Sequence, residues 1–209
     1  MAITGQILGF FIIFHIVGNS TIFFHALNAY VIALYKLPVF IWGGRVILVL
    51  AFLLHIYYGI ALKLENYRAK PQSYAVTQFR QATFAGRYQI WTGVIIAAFL
   101  IYHLLHFTFQ VTQPALAADT HFDTLGRPDV FTMVVGSFQR IVIAGIYLVS
   151  LAAVGLHLLH GLQSSIQTWG LNSDRTFPLI EKSGTAVSLL LFFWYSAIPV
   201  AVIVGLLSR

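Results

Sequence analysis

Histidine is the residue type with the clearest capacity for chemistry in this sequence. The chain has eight histidines and no cysteine, so any transition metal must be held by imidazole rather than thiolate. Polar side chains are costly in hydrocarbon and usually face the interior of a helix bundle, where they serve cofactors or proton paths. One such histidine is compatible with ordinary packing, but here four consecutive apolar stretches each contain one: His15 within residues 5–27, His55 within 42–64, His103 within 88–111 and His157 within 133–162.

Two of these histidines are each followed by a glycine four residues later. His55 precedes Gly59, and His157 precedes Gly161. On a helix this spacing puts the glycine one turn from the histidine on the same face. A flat macrocycle coordinated by the imidazole would need such an opening, although glycine is also common where membrane helices pack closely.

The other two histidines share a second pattern, a Thr-Gly pair with the glycine ten residues before the histidine. It occurs as Thr4-Gly5 before His15 and as Thr92-Gly93 before His103. Ten helical residues span about 15 Å, so each glycine lies on the histidine's face but at a different depth. This position would let a second flat cofactor pass close to the backbone.

The direction of each stretch predicts which histidines meet. Alternate spans run in opposite directions, which puts His15 and His103 nearer the outside (the outer pair) and His55 and His157 nearer the cytoplasm (the inner pair). Two bis-histidine haems b, stacked across the bilayer, would use all four ligands. Filling both axial positions of the iron favours electron transfer over oxygen chemistry. A zinc site would require three or four ligands at one depth.

Three further histidines have open roles. His106 and His160 each follow a candidate ligand by three residues, and periodicity alone does not choose between the two members of each set. The glycine spacings favour His103 and His157, which leaves the other two to contact a haem edge or a quinone, or to bond another helix. His25, near the outer surface, is a candidate proton donor at a quinone site.

Composition predicts the elements that must position these residues. The 209-residue chain is 59% hydrophobic and 9% charged, which excludes an ordinary soluble enzyme. A fifth apolar stretch covers residues 184–207, and each stretch is long enough to cross a bilayer. We therefore expect an all-α membrane protein, a single domain over residues 1–209 whose five transmembrane helices form a bundle around two stacked haems.

The charge pattern predicts orientation. The formal net charge is +6, which in a membrane protein indicates topology rather than nucleic-acid binding. A cytoplasmic N-terminus and an outside C-terminus put seven basic residues inside (Lys63, Arg68, Lys70, Arg80, Arg87, Arg175, Lys182) and five outside (Lys36, Arg45, Arg127, Arg140, Arg209). Arg45 and Arg140, at the outer ends of spans two and four, are candidate partners for haem propionates, or ordinary interfacial anchors.

Three segments also carry a family resemblance: Leu53-Leu-His55-Ile-Tyr-Tyr-Gly59, Thr92-Gly93 followed by Tyr102-His103, and His157-Leu-Leu-His-Gly161 ending in Thr168-Trp169-Gly170. Through most of its length the chain resembles the five-helix dihaem cytochrome b subunit that anchors bacterial succinate:menaquinone oxidoreductases and fumarate reductases, or complex II, in the inner membrane. The resemblance implies that His15, His55, His103 and His157 are the axial ligands. It also implies an FAD-bearing flavoprotein and an iron-sulfur protein on the cytoplasmic face, with menaquinone as the substrate of electron transfer and succinate chemistry confined to the partner subunits.

Two alternatives stay open at this point. The chain could be the dihaem cytochrome subunit of another respiratory dehydrogenase, such as a formate dehydrogenase, hydrogenase or nitrate reductase, although the helix order and the His-x-x-x-Gly pairs argue against it. A haem-free transporter that relays protons through histidines is the other alternative, and it predicts a colourless protein.

Overall fold

Helices account for nearly all regular structure in this protein. The computed structural model describes residues 1–70, 72 and 83–208, and within these ranges the only strand-like feature is an isolated bridge between Phe122 and Pro128. Five helical segments in the described residues are long and apolar enough to cross a membrane: Ala2–Phe24, Pro38–Ala69, Gln89–Thr108, Ile141–Thr168 and Phe177–Ile203. For the described residues, the prediction of an all-α protein with five helices long and apolar enough to cross a membrane is confirmed.

The helices are numbered along the chain, and short 3-10 or π turns extend some of them. Ser20–Phe24 is a 3-10 turn after α1, Leu104–Thr108 is a π turn after α5, and Pro114–Leu116 is an isolated 3-10 turn. The α-helices are α1 (Ala2–Asn19), α2 (Leu27–Tyr35), α3 (Pro38–Ala69), α4 (Phe84–Arg87), α5 (Gln89–His103), α6 (Val130–Phe138), α7 (Ile141–Thr168) and α8 (Phe177–Ile203).

Helix α3 is longer than a bilayer requires. Its 32 residues extend about 48 Å, against a hydrocarbon thickness of about 30 Å. The helix begins with Pro38 in its first turn, where proline is favoured because no backbone N–H is needed there. Its last two turns carry Lys63, Glu65 and Arg68, which are exposed, so this end projects beyond the apolar layer.

The predicted fourth span is wrong at its start. The apolar pattern predicts one helix over residues 133–162, but the helix breaks at Gln139 and Arg140, and α7 starts only at Ile141. Arg140 has an extended backbone (φ −84°, ψ 105°). Neither residue of the break is proline or glycine. Because apolar residues lie on both sides, the hydropathy pattern does not show where the helix is interrupted. The residues before it form the separate, largely buried helix α6.

Helix α7 is central to the packing. It contacts α1, α4, α5, α6 and α8, whereas α3 packs chiefly on α1 and α2. Most buried apolar side chains lie toward the ends where α1 finishes and α7 begins, including Ile16, Val135, Ala144 and Ile198. In α3 Ala51 is the one buried residue. The bundle is therefore well packed around the outer pair and more open around the inner pair.

Asn28 of α2 forms hydrogen bonds with the connection between α5 and α6 and with the start of α6. Its side-chain amide donates to Asp123 at 3.2 Å and to Asp129 at 3.1 Å, and its carbonyl accepts from the backbone N–H of Phe131 at 2.9 Å. Hydrogen bonds from the Arg127 backbone and side chain and from Asn28 lower the pKa of Asp123 to about 2. Burial raises the pKa of Asp129, but hydrogen bonds from Thr132 and Asn28 outweigh it and leave that pKa lowered.

Candidate cofactor-binding sites

The four candidate ligands come together as two facing pairs. The ring centroids of His15 and His103 lie 5.9 Å apart, and those of His55 and His157 lie 6.1 Å apart. The interplanar angles are 89° and 66° respectively. Each pair joins two different spans, in the combination expected from span direction. The arrangement of the helices thus brings the two histidines of each pair together.

These separations suit one metal ion between two imidazoles. A metal–imidazole bond is about 2 Å long, and a ring nitrogen lies about 1 Å from the ring centroid. Two rings on opposite sides of one iron therefore have centroids about 6 Å apart, close to both observed values. Among residues 1–70, 72 and 83–208 no three His, Asp or Glu side chains form a site for a bare ion. Two imidazoles match a haem, whose porphyrin supplies the remaining nitrogens.

The inner pair is held by the two Thr-Gly motifs. Thr4 Oγ1 lies 3.2 Å from Nδ1 of His55, and Thr92 Oγ1 lies 3.0 Å from Nδ1 of His157. The glycine that follows each threonine, Gly5 or Gly93, lies against the same histidine ring. Thus each Thr-Gly motif positions an inner histidine from a neighbouring helix and carries an outer histidine ten residues later.

Gly5 lies closer to the ring of His55 than Gly93 does to the ring of His157. A Cβ added at Gly5 would lie 3.2 Å from Cε1 of His55, and one added at Gly93 would lie 3.6 Å from Cε1 of His157. Since α1 and α5 are regular helices over the intervening residues, the inner and outer pairs are separated by about 15 Å along them. The sequence pattern pointed to both Thr-Gly pairs but suggested a role only for the glycines, and the repeat of threonine before glycine was the signal for a role of the hydroxyls.

The glycines after the inner histidines have other neighbours. A Cβ at Gly59 would lie 3.5 Å from the Met1 side chain, and one at Gly161 would lie 3.7 Å from Nε2 of Gln89. Both are ordinary van der Waals distances. The Gln89 amide also donates to the His157 backbone carbonyl at 3.2 Å, while its buried Oε1 has no partner. Gln89 is a neighbour of the inner pair that the sequence analysis did not identify.

Aromatic rings surround the outer pair. Phe11 stacks on His15 with centroids 5.2 Å apart, and Phe99 and Phe107 lie 5.7 and 5.8 Å from His103. Tyr195 of α8 lies 6.2 Å from His15 and donates its hydroxyl to the Ile12 carbonyl. Aromatic side chains thus form much of the surroundings of the outer pair.

His106 is occupied by protein contacts. Its Nδ1 lies 2.9 Å from the Tyr147 hydroxyl, and its Nε2 lies 3.2 Å from Ser137 Oγ and 3.1 Å from Gln113 Nε2. The side chain is 2% exposed. Because both ring nitrogens have partners, His106 acts here as a buried hydrogen-bonding residue, one of the roles left open by the sequence. It lies in the π turn after α5, a type of turn that is frequent near functional sites.

Tyr147 links this network to the outer pair. Its hydroxyl lies 3.4 Å from Nδ1 of His103 as well as 2.9 Å from His106. Tyr147 is 5% exposed and contacts Phe99, Phe107 and Phe138. Nothing in the sequence pattern singled it out, because it is one of ten tyrosines in an apolar chain.

Neither His160 nor His25 faces another histidine as the paired residues do, although His160 lies one turn after His157 on α7. His160 packs beside α4, where a Cβ at Gly86 would lie 3.0 Å from its Nδ1. His25 is exposed, adopts a left-handed backbone (φ 53°) and lies 5.1 Å from the Phe131 ring. His25 follows the 3-10 turn that ends span one, so its proposed role as a proton donor stays a prediction.

The two arginines predicted to bind propionates are exposed. The Arg45 guanidinium lies 4.8 Å from the Trp42 ring centroid, and Arg140 immediately precedes α7. Arg80 and Arg209, which the orientation count used, lie outside the described residues. The propionate assignment stays a prediction.

The comparison with protein families gives one match. The model of the succinate dehydrogenase/fumarate reductase transmembrane subunit matches residues 65–198, a range that includes His103 and His157 and begins after His15 and His55. Comparison with curated proteins and with solved structures gives no match. The match covers more than half of the chain, including two of its five spans in full and most of the last one. The chain therefore belongs to the family of transmembrane subunits of succinate dehydrogenase and fumarate reductase, the membrane anchors of complex II.

Proposed function

We propose that this chain is a dihaem cytochrome b anchor that relays electrons between a cytoplasmic iron-sulfur subunit and menaquinone. The observation that carries the proposal is the presence of two facing histidine pairs with ring separations of 5.9 and 6.1 Å in a membrane anchor of complex II. His15 with His103 and His55 with His157 would each hold one haem b. A haem b held by two imidazoles would supply one-electron transfer.

The protein side chains bind, orient and shield these groups. Gly5 and Gly93 leave space beside the inner ligands, and Gly59 and Gly161 do so one turn away. The aromatic residues around the outer pair keep water from it, which strengthens electrostatic interactions there. Arg45 and Arg140 bind propionates at the outer ends of their helices.

The proposed orientation follows the basic residues. The N-terminus and the inner ends of α3 and α4 face the cytoplasm of a bacterial cell, because Lys63, Arg68, Lys70 and Arg87 cluster there. The same end contacts the iron-sulfur subunit, which joins the chain to the flavoprotein that binds FAD. The outer pair then lies nearer the menaquinone site.

The decisive experiment is a reduced-minus-oxidised absorption spectrum of the purified complex, with haem measured per chain. Two haems b per chain are expected, and a single haem would contradict the fourfold ligand assignment. A spectrum without b-type haem bands would instead favour the histidine-relay transporter.

Co-purification identifies the enzyme to which the anchor belongs. A flavoprotein with covalent FAD and an iron-sulfur protein are expected to purify with the chain. A molybdenum or nickel enzyme in their place would show that the chain serves a formate dehydrogenase, nitrate reductase or hydrogenase.

A further inference from the structure

The threonines of the two Thr-Gly motifs have hydrogen-bond partners that favour a proton on Nδ1 of each inner histidine, as does the hydrogen bond from each ring to the backbone of Met1 or Gln89. Each hydroxyl contacts Nδ1 of an inner histidine and also a backbone carbonyl. Thr4 Oγ1 lies 2.8 Å from the Met1 carbonyl oxygen, and Thr92 Oγ1 lies 3.0 Å from that of Gln89. Both sets of contacts have the lengths of ordinary hydrogen bonds.

Only one placement of the protons allows both contacts of each threonine hydroxyl to be hydrogen bonds. A hydroxyl has one proton, and a carbonyl oxygen can only accept. The threonine proton must therefore go to the carbonyl, which leaves the hydroxyl oxygen as an acceptor toward the histidine. His55 and His157 must then donate from Nδ1–H.

We propose that Thr4 and Thr92 are positioning residues that hold His55 and His157 in the Nδ1–H form, so that the Nε2 lone pair of each ring faces the metal. This inference rests on the proposed dihaem function. A hydrogen bond from the second ring nitrogen fixes the tautomer and orientation of a metal-bound histidine and raises its basicity as a ligand. A more basic ligand favours ferric over ferrous iron, so both threonines lower the potential of the inner haem.

The arrangement differs from the usual back-bonding of threonine in helices. Thr168 of α7 donates to the Ser164 carbonyl at 2.8 Å, and the structure records no histidine beside its hydroxyl. Thr4 and Thr92 back-bond in the same way but also meet a histidine Nδ1, on two separate helices and next to a glycine in each case. Thr168 is thus a matched control from the cytoplasmic half of the protein.

The test uses the purified complex with Thr4→Val, Thr92→Val, their serine counterparts, and Thr168→Val. The readout is an equilibrium redox titration followed through the b-type absorption bands, which resolves the haems independently of turnover. Each inner-site valine variant is expected to raise the midpoint potential of one haem and leave the other unchanged. If the lost bond weakens ferric relative to ferrous ligation tenfold, the rise is about 59 mV for one electron.

The controls separate positioning from packing. Thr4→Ser and Thr92→Ser keep the hydroxyl and are expected to titrate like the wild type, as is Thr168→Val. With two haems bound, three results would each overturn the inference. They are wild-type potentials in both valine variants, serine variants that shift as much as the valine variants, and an equal shift in Thr168→Val. A wild-type complex with fewer than two haems would overturn the proposed function as well.

Discussion

The inner and outer histidine pairs have nearly the same ring separation but different supports. The outer pair lies among Phe11, Phe99, Phe107 and Tyr195, beside the buried core shared by α1, α6, α7 and α8. The inner pair has two threonine hydroxyls and two glycines beside it. One of its histidines comes from α3, which packs chiefly on α1 and α2.

The two pairs illustrate two ways to hold a ligand side chain, namely packing against neighbouring side chains and directed hydrogen bonds. Around the outer pair, aromatic packing supplies most of the contacts to the rings, and a longer contact of 3.4 Å from the Tyr147 hydroxyl to His103 adds to it. Around the inner pair, single hydroxyl groups set the ring orientation. A group bound between His55 and His157 also bridges α3 and α7, and a ligand that binds only the folded protein stabilises it. We therefore expect α3 to depend on the bound group more than α5 does.

Removing a ligand from each pair gives the largest expected effect. His157→Ala and His103→Ala should each lower the haem content from two to one per chain, because one imidazole does not replace two axial ligands. His157→Ala should also lower the melting temperature more, since it releases α3. Pyridine haemochrome assay and thermal unfolding in detergent measure both outcomes.

A solvent-exposed histidine provides the control for this pair of variants. His121→Ala should keep two haems, because His121 lies in the outer connection away from both pairs. Equal stability losses in His157→Ala and His103→Ala would contradict the proposed difference in support.

Asn28→Ala tests the closure of the outer end. The change removes hydrogen bonds to two carboxylates and one backbone N–H, and a loss of about 3 kcal/mol is expected because bonds to charged groups are strong. Thermal unfolding should show the loss. Exposed Asn172→Ala is the control, and equal effects of the two variants would show that the Asn28 bonds do not hold the connection.

Tyr147→Phe tests the hydrogen-bonded network beside the outer pair. The variant leaves buried His106 without its Nδ1 partner, which should cost about 2 kcal/mol. The redox titration should change for the outer haem only, which is the converse of the result expected for Thr92→Val. Exposed Tyr57→Phe is the control. A change in both haems would mean that the two levels are not independently supported.

Gly5→Ala and Gly93→Ala compare the two halves of the inner site. A Cβ at Gly5 would lie only 3.2 Å from the His55 ring, whereas 3.6 Å at Gly93 is an ordinary contact with His157. Gly5→Ala should therefore lower the affinity for the inner haem by up to about tenfold, and Gly93→Ala should lower it less. The haem retained after extended washing measures the affinity of each variant. A greater loss of haem in Gly93→Ala than in Gly5→Ala would contradict the expected order.

Acid should weaken the outer connection through Asp123. Its folded pKa of about 2 lies below the ordinary value of 3.8, so its stabilising contribution is present above about pH 4 and is lost as the pH falls toward 2. Melting temperatures between pH 6 and 2 should show a small decline that Asp123→Asn reduces. An unchanged decline in that variant would assign the acid sensitivity to other groups.

The number of spans and the facing of the two histidine pairs were predictable because membrane insertion imposes strong rules on the sequence. Long apolar runs reveal the helices, and histidines inside them stand out. The break before α7 was not predictable, since apolar residues flank Gln139 and Arg140 on both sides. His106 and His103 are three residues apart, so their different roles depend on Tyr147, Ser137 and Gln113, which come from other parts of the chain.

The sequence by itself determined five apolar helices and six histidines distributed among four of them, because the cost of polar groups in hydrocarbon leaves few other arrangements. Tertiary structure decided what each histidine touches. The Thr-Gly motifs illustrate the division, since each precedes an outer histidine in sequence but contacts an inner histidine in space. That contact requires α1 to lie beside α3 and α5 beside α7, and a helix period specifies a face without specifying the neighbour that covers it.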